Sequence, residues 1–137
     1  MSKRNEDYAA LVAPAAYNVN AKAAFAAVAR KYLRRLAKEL ALPQGSYTVR
    51  YNPGGTAVSG DVILHAERLY VWVEQRPFQD RAHGLVLYRG CRGRKDYSGL
   101  VNHYADAEVL LDTPRLAALC REVTRLAEYD AGLGKAA

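Results

Sequence analysis

The densest group of chemically capable side chains lies between Tyr88 and Gly99, in the run Tyr-Arg-Gly-Cys-Arg-Gly-Arg-Lys-Asp-Tyr-Ser-Gly. Four cations fall within seven residues among glycines, whose unhindered backbone lets amide N–H groups converge on an anion. Arginine donates to phosphate or carboxylate through a planar fork, and tyrosine can stack on a base. The run therefore predicts an anion-binding loop, and its candidate residues are Arg89, Arg92, Arg94, Lys95 and Tyr97. A charged turn that protects a sheet edge is the alternative interpretation.

A second cationic group lies on a helix predicted from about residue 21 to residue 42, with Asn18 or Asn20 as its cap and Pro43 and Gly45 after its end. At 100° per residue its apolar side chains fall on one face. The opposite face carries cations, of which the candidate contact residues are Arg30, Arg34, Arg35 and Lys38. Like charges four residues apart cost a few tenths of a kcal/mol each, and an acidic partner would relieve that cost. A solvated helix face is the alternative.

Two carboxylates on neighbouring predicted strands raise a third possibility, a metal-dependent nuclease. Asp61 opens one strand, and Glu74 closes the next, just before Arg76. With the intervening turn centred on residues 66 and 67, Asp61 is predicted opposite residue 72 and diagonal to Glu74. Two carboxylates and a cation are what metal-assisted phosphodiester cleavage needs. The pattern resembles the Asp…Glu-x-Lys arrangement of restriction-like nucleases, but arginine replaces the lysine and the flanking α/β elements of that family are missing.

The histidines and cysteines predict neither a metal site nor a cofactor site. His65, His83 and His103 lie in or near turns, at spacings that match no zinc template, and are interpreted as isolated surface histidines. Cys120 falls on the apolar face of a helix and is predicted to be buried. Cys91 lies in the glycine-rich run, where it could be an exposed thiol. We therefore expect no metal and no cofactor.

The elements that must position these groups are organised around residues 58–75, which are predicted to form an antiparallel hairpin with a break at residues 65–68. Alternation places five aliphatic side chains on one face, namely Val62, Leu64, Leu69, Val71 and Val73. The opposite face is amphipathic and aromatic and carries Ile63, His65, Tyr70, Trp72 and Glu74. That second face is a core if helices cover both sides of the sheet, and a binding platform if they cover one; packing into a core is favoured.

The other strands are predicted to extend this hairpin into a meander. Tyr47, Val49 and Tyr51 alternate with polar residues, as in a half-buried strand at residues 46–51. A loop at residues 76–84 is followed by a strand at residues 85–89. A short edge strand at residues 100–104 then completes the sheet. This order predicts an α+β fold, an antiparallel β-meander of four to five strands flanked by an N-terminal and a C-terminal helix.

The last helix is predicted to begin at Asp112 or Thr113, with Pro114 at its first position and Gly132 just past its end. Its predicted buried stripe is Leu116, Leu119, Cys120, Val123, Leu126 and Ala127. The chain is thus divided into an N-terminal extension at residues 1–19, a single domain at residues 20–131 and a tail at residues 132–137. One or two helical turns are expected near residues 7–13.

Composition and charge narrow the class of partner. The chain has 137 residues and a formal net charge of +6 at pH 7, which suits one globular domain with its own core. Residues 20–40 carry six cations against one acid, and residues 76–96 carry six against two. Two such segments indicate a polyanion or an acidic protein surface as partner, although ordinary solvated surface gives the same counts.

Nothing in the sequence predicts a membrane segment or secretion. No apolar run approaches the roughly 18 residues that a membrane span needs. Glu6 and Asp7 interrupt the N-terminal stretch, and Pro14 breaks its apolar part, so a signal peptide is not expected. Two cysteines do not make a disulfide framework. We therefore expect a cytoplasmic protein that has no membrane partner.

Together these observations predict a small basic, non-enzymatic binding module that engages nucleic acid or a nucleoprotein complex. The alternative is a protein-binding inhibitor or adaptor that uses the same basic surface against an acidic partner. The run from Tyr47 to Tyr104, with its Val-Ser-Gly-Asp-Val and Arg-Lys-Asp-Tyr-Ser-Gly segments, resembles small uncharacterised proteins of phages and mobile elements. This resemblance implies a role in redirecting or blocking a host machine.

Overall fold

The secondary structure follows the predicted order of helix, antiparallel strands and helix. A computed structural model describes residues 3–15, 17–54, 60–75, 86–130 and 132. Within these residues the elements are α1 Lys3–Val12, α2 Val19–Glu39, β1 Tyr47–Asn52, β2 Asp61–Ala66, β3 Leu69–Glu74, β4 Val86–Gly90, β5 His103–Ala105, α3 Ala107–Leu111 and α4 Thr113–Asp130. The α+β prediction is confirmed. The predicted loop at residues 76–84 lies outside the described residues.

The five strands form one antiparallel sheet in the order β1-β2-β3-β4-β5, which is a simple meander. The central hairpin is confirmed, and its turn is the two residues between Ala66 and Leu69. This turn is centred one residue later than the sequence predicted. Asp61 therefore pairs directly with Glu74, and the prediction that it lies opposite residue 72 is wrong.

All of the helices that contribute to the main core pack on one face of the sheet. Helix α2 contacts β1 and β2, and α4 contacts β3 and β4. The side chains predicted to share a face, such as Val62, Leu64 and Val71, are fully buried beneath them. The helical side of the core includes Phe25 and Leu33, which are also fully buried. The predicted alternation of the strands is therefore confirmed.

The face of the sheet away from the helices, here called the second face, is also apolar at its centre. Ile63, Tyr70 and Leu87 cluster there, with Trp72 packed against them. Tyr70 is only 7% exposed although no helix of the described residues packs in its cluster, and Trp72 is half-buried. Packing of Tyr70 into a core is confirmed. The sequence pattern predicted a core here only if helices covered both sides of the sheet. Instead, the side chains that cover Tyr70, described below, come from strands and a loop.

Helix α2 begins two residues and ends three residues earlier than predicted. The side chain of Asn18 accepts a hydrogen bond from the Ala21 backbone N–H at 2.9 Å, which caps the first turn. The helix ends at Glu39, three residues before the predicted end. Ala41 adopts a left-handed conformation with φ of 55°, and so does Gly45 with φ of 88°, which reverses the chain toward β1.

Helix α1 is longer than the one or two turns predicted, and it is tied to α2 through a buried carboxylate. Asp7 accepts hydrogen bonds from Lys31 Nζ at 2.8 Å and from Tyr32 Oη at 2.6 Å. Burial raises the pKa of Asp7, but these two donors more than offset it, and the net shift is downward. Leu11 of the same helix is fully buried in the main core. Lys31 is therefore occupied by an internal partner.

Helix α4 lies so close to β4 that a glycine is needed between them. A Cβ atom at Gly90 would lie 2.8 Å from Cβ of Ala127 and 2.9 Å from the Val123 carbonyl oxygen. This contact turns the Val123 and Ala127 side of α4 toward the sheet. Leu119 and Leu126 consequently lie outside the buried arc and are exposed, so their predicted place in the stripe is wrong.

None of the helices in the described part of the chain combines the length and the apolar character needed to cross a bilayer.

The close approach at Gly90 gives a stability prediction. Gly90→Ala should lower the free energy of unfolding by about 1–3 kcal/mol, because a methyl group there overpacks the contact between β4 and α4. Gly93→Ala is the matched control, since a Cβ at Gly93 meets nothing within 4 Å. Urea unfolding followed by circular dichroism measures both variants. Equal stability of the two would contradict this account of the packing.

Candidate functional site

The candidate loop, residues 91–99 and here called the basic loop, folds back onto the second face of the sheet. His65 projects from β2 on that face, and its Nε2 lies 3.0 Å from the Gly93 carbonyl oxygen, to which it donates. The ring of Tyr97 meets the ring of His65 edge-on, with centroids 5.2 Å apart. The guanidinium of Arg50, from β1, lies 5.5 Å from the centroid of the Tyr97 ring. The basic loop thus reaches across β2 to β1.

The carboxylate of Asp96 holds the basic loop together from inside. It accepts hydrogen bonds from the backbone N–H groups of Arg92 and Gly99, each at 2.9 Å, and from Ser98 Oγ at 3.2 Å. The N–H groups of Gly99 and Arg92 are the main reason that the pKa of Asp96 falls to about 2. Backbone amides do converge on an anion here, as the glycine pattern suggested, but that anion belongs to the chain itself.

Arg89 anchors the basic loop to the sheet. One terminal nitrogen donates to Asn102 Oδ1 at 3.1 Å, and the other donates to the Tyr97 carbonyl oxygen. The guanidinium lies over the Tyr70 ring, 4.4 Å from its centroid, and so covers this part of the second face. Gly99 has φ of 64°, and a Cβ there would lie 2.7 Å from the Arg89 side chain. Arg89 is therefore engaged in internal contacts.

Arg92 is also largely neutralised by neighbours. Its Nε donates to Asp130 Oδ2 at 3.0 Å, and its NH1 lies 3.9 Å from Asp96 Oδ2. Its carbonyl oxygen accepts a hydrogen bond from Arg68. Arg92 consequently fixes the basic loop to the C-terminal end of α4, and half of its side chain remains open to solvent.

The remaining candidates of the basic loop are directed toward β1 or toward solvent. Arg94 NH1 lies 3.3 Å from the carbonyl oxygen of Gly45, in the turn just before β1. Lys95 is exposed and contacts no charged partner within the described residues. Tyr97 is 54% exposed. Lys95 and Tyr97 are therefore available to an external ligand, and Arg94 is half-buried beside the turn before β1.

The helical candidates approach β1 from the other side of the sheet. Arg30 places its guanidinium 5.1 Å from the ring centroid of Tyr51, a β1 residue that packs against the main core. Arg35 lies over the Tyr32 ring at 4.9 Å. The side chains of Arg34 and Lys38 are exposed and form no ion pair with any residue in the described ranges. The outer surface of α2 is thus cationic up to the edge of the sheet.

The two basic segments meet at β1, although they lie on opposite faces of the sheet. Arg30 comes from the helical face, and Arg94 from the basic loop on the second face. Arg50 stands on β1 itself and contacts the loop through Tyr97. Among the described strands β1 pairs only with β2, so it is an edge strand. We call these cations the β1 rim. Arg30, Arg50 and Arg94 lie on β1 or contact it or the turn before it, and Arg34, Lys38 and Lys95 are their exposed neighbours along α2 and the basic loop.

Arg50 is the member of the β1 rim that the sequence candidates omitted. The alternation of residues 46–51 placed it opposite Tyr47, Val49 and Tyr51, and that placement is confirmed by the burial pattern of β1. Nothing in the local pattern connects Arg50 with Tyr97, which lies far along the chain. The contact depends on how the basic loop folds back over the second face.

Two predictions about the cysteines and histidines are wrong. Cys91 is fully buried, its Sγ lies 3.3 Å from the Ala66 carbonyl oxygen, and burial raises the pKa of its thiol. His65 is 2% exposed and is part of the sheet rather than a surface histidine. The predicted burial of Cys120 is confirmed, and burial raises the pKa of its thiol to about 12. His83 lies outside the described residues.

The carboxylates proposed for a nuclease are neighbours, as the register shows. Asp61 accepts a hydrogen bond from Asn52 Nδ2 at 2.8 Å and pairs with Glu74 across the hairpin. Arg76, the third member of that arrangement, lies outside the described residues. Within the described ranges, no group of three or more histidine, cysteine, aspartate or glutamate side chains could hold a metal ion.

Comparison with protein-family models, with curated proteins and with solved structures gives no significant match. The function is therefore argued from the residues of this chain alone.

The internal anion of the basic loop gives a second stability prediction. Asp96→Asn should lower the free energy of unfolding at pH 7 by about 1.5–3 kcal/mol, because hydrogen bonds to a charged acceptor are lost. The pKa of Asp96 is depressed in the folded chain, so its contribution is complete above the usual value of 3.8 and is lost as the pH falls through about 2. In urea titrations, the difference in the free energy of unfolding between wild type and Asp96→Asn should therefore disappear over that pH range. A gap that is independent of pH would contradict the assignment.

The buried His65 gives a pH prediction of the same sign in a higher pH range. Burial lowers its pKa, and Arg50 and Arg94 add to this effect, whereas the Gly93 carbonyl and Asp96 oppose it. Below about pH 6.5 the unfolded chain binds a proton that the folded chain excludes, so stability should fall as the pH is lowered. His65→Gln should reduce this dependence between pH 8 and pH 5.5. His103→Gln, the control, should retain it; identical pH profiles for the two variants would contradict the prediction.

Proposed function

We propose that this chain is a small, non-enzymatic nucleic-acid-binding module that contacts phosphates through the β1 rim. The observation that carries the proposal is the convergence at β1 of two basic segments that are separate in sequence and lie on opposite faces of the sheet. A strand of six residues is about 20 Å long, which is enough for a row of phosphate contacts. The partner is nucleic acid alone or nucleic acid within a nucleoprotein complex.

The distribution of paired and unpaired cations supports the β1 rim as the contact surface. Arg89 and Arg92 face internal acceptors, and Lys31 is bound to Asp7. Arg34 on α2 and Lys95 in the basic loop, by contrast, are exposed and form no ion pair within the described residues. Lysine and arginine side chains that are unpaired in the free protein bind phosphate without first breaking an internal ion pair, and the counterions they displace favour association. The β1 rim is therefore the best available site for a polyanion.

A second candidate function is the binding of an acidic protein segment, as in an inhibitor or adaptor. Among the described strands, β1 has one neighbour, so backbone groups on its outer side are available to an added strand. The cations that flank β1 would select an acidic sequence for that position. A poly-glutamate peptide that binds as tightly as an oligonucleotide of the same charge would favour this second function.

The first experiment is a fluorescence-anisotropy titration with labelled single-stranded and double-stranded DNA and RNA, at low and at physiological salt. Affinity should fall steeply as salt is raised, because each phosphate contact releases counterions. No binding even at low salt would reject the nucleic-acid proposal and leave the acidic protein partner.

A charge-reversal pair locates the contact surface. Arg34→Glu combined with Lys95→Glu removes one cation from α2 and one from the basic loop, and it should weaken binding on the order of tenfold or more and reduce the salt slope by about two. Arg4→Glu combined with Arg115→Glu is the matched control. It makes the same change in net charge at two exposed residues near the starts of α1 and α4, where glutamate also suits the helix dipole. Equal losses in both double variants would show that net charge, and not the β1 rim, drives binding.

A further inference from the structure

The exposed aromatic ring of Tyr97 identifies which form of nucleic acid suits the β1 rim. We infer that this surface takes single strands in preference to duplexes, and that Tyr97 stacks on an unpaired base. The inference rests on the proposed function, because it concerns the same surface.

Tyr97 is exposed and yet held in position by three contacts, two to its ring and one to its backbone. The His65 ring meets it edge-on at 5.2 Å, and the Arg50 guanidinium lies 5.5 Å from its centroid. Its backbone carbonyl accepts a hydrogen bond from Arg89. These contacts already fix the ring, so it loses little conformational entropy when a base stacks on it. More of the favourable stacking free energy is therefore retained than for a freely rotating tyrosine.

The charges around Tyr97 suit a chain of nucleotides. Lys95 and Arg94 precede it in the basic loop, and the Arg50 guanidinium, from β1, lies over one face of the Tyr97 ring. A base on the Tyr97 ring therefore has cations nearby for the phosphates on either side. An aromatic platform within a cationic groove is how single strands are bound without base-specific hydrogen bonds. A duplex keeps its bases stacked on one another and offers this surface only its phosphates.

Tyr104, another exposed tyrosine, lacks this arrangement. Tyr104, on the opposite edge strand β5, is 62% exposed, and no cation lies over its ring among the described residues. The tyrosines that do carry a cation over the ring, apart from Tyr97, are buried or half-buried; they are Tyr32, Tyr51 and Tyr70. Tyr97 thus combines exposure with a neighbouring cation and Tyr104 does not, so Tyr104 is its natural control.

The test compares Tyr97→Ala with Tyr104→Ala on a 12-nucleotide oligo-thymidine and on a hairpin duplex with the same number of phosphates. Tyr97→Ala should weaken single-strand binding about 5- to 150-fold, as expected for loss of one stacked base. The salt slope should be unchanged, because no charge is removed. Duplex binding should change little, and Tyr104→Ala should bind both ligands as the wild type does.

Two further variants separate stacking from damage to the basic loop. Tyr97→Phe keeps the ring and should retain single-strand affinity, whereas Tyr97→Leu fills similar space without a π face and should lose it. Urea unfolding of each variant checks that the fold is preserved. Fluorescence of a 2-aminopurine base within the oligonucleotide should be quenched by the wild type and by Tyr97→Phe, and much less by Tyr97→Leu.

The possible results distinguish a failure of base stacking on Tyr97 from a failure of phosphate binding by the β1 rim. Equal affinity for single strands and duplexes, or equal losses for Tyr97→Ala and Tyr104→Ala, would overturn the inference and leave phosphate binding by the β1 rim in place. Retained affinity in Tyr97→Leu would likewise show that the ring does not stack. Absence of binding to either ligand at low salt would overturn the proposed function, and this inference with it.

Discussion

The packing of every core helix on one face of the sheet is the constraint on which the rest of the structure depends. Helices α2 and α4 bury the aliphatic face of β1 to β4, and the second face then has to cover Tyr70 and its neighbours by other means. The chain does so with Arg89 and with the loop that follows β4. Because that loop must lie across the sheet to cover it, its cations are brought to β1, where the cations of α2 already lie.

A loop that is rich in like charge can fold this way because it contains its own counterion. Asp96 gathers the amides of Arg92 and Gly99, and Asp130 at the end of α4 binds Arg92. Part of the loop's positive charge is therefore used to build the loop, and part remains outside it. The same division occurs on α2, where Lys31 belongs to the interior and Arg34 to the surface. The candidate surface consists of cations that form no ion pair within the described residues.

The fold was largely predictable from the sequence, because alternation in the strands and the helical period report directly on burial. The central hairpin, the faces of β1 to β4 and the cap of α2 follow from neighbouring residues. The hairpin turn and the end of α2 were misplaced by one to three residues, and the larger errors arose where distant parts of the chain meet. Cys91 and His65 are buried because the basic loop folds back, and Leu119 is exposed because Gly90 draws the other side of α4 to the sheet. Composition located both basic segments, but their approach to β1 from opposite faces of the sheet depends on the tertiary fold.

The position of β1 at the edge of the sheet has a consequence for how copies of this protein behave toward one another. An edge strand offers its outer backbone groups to any chain that can add to it, and many proteins aggregate by this route. Here a second copy approaching β1 would bring Arg30, Arg50 and Arg94 against the same cations of its neighbour. Mutual repulsion opposes that pairing until a polyanion neutralises it. On the proposed function, the charges that would bind a polyanion would therefore also oppose the assembly of free copies into extended sheets.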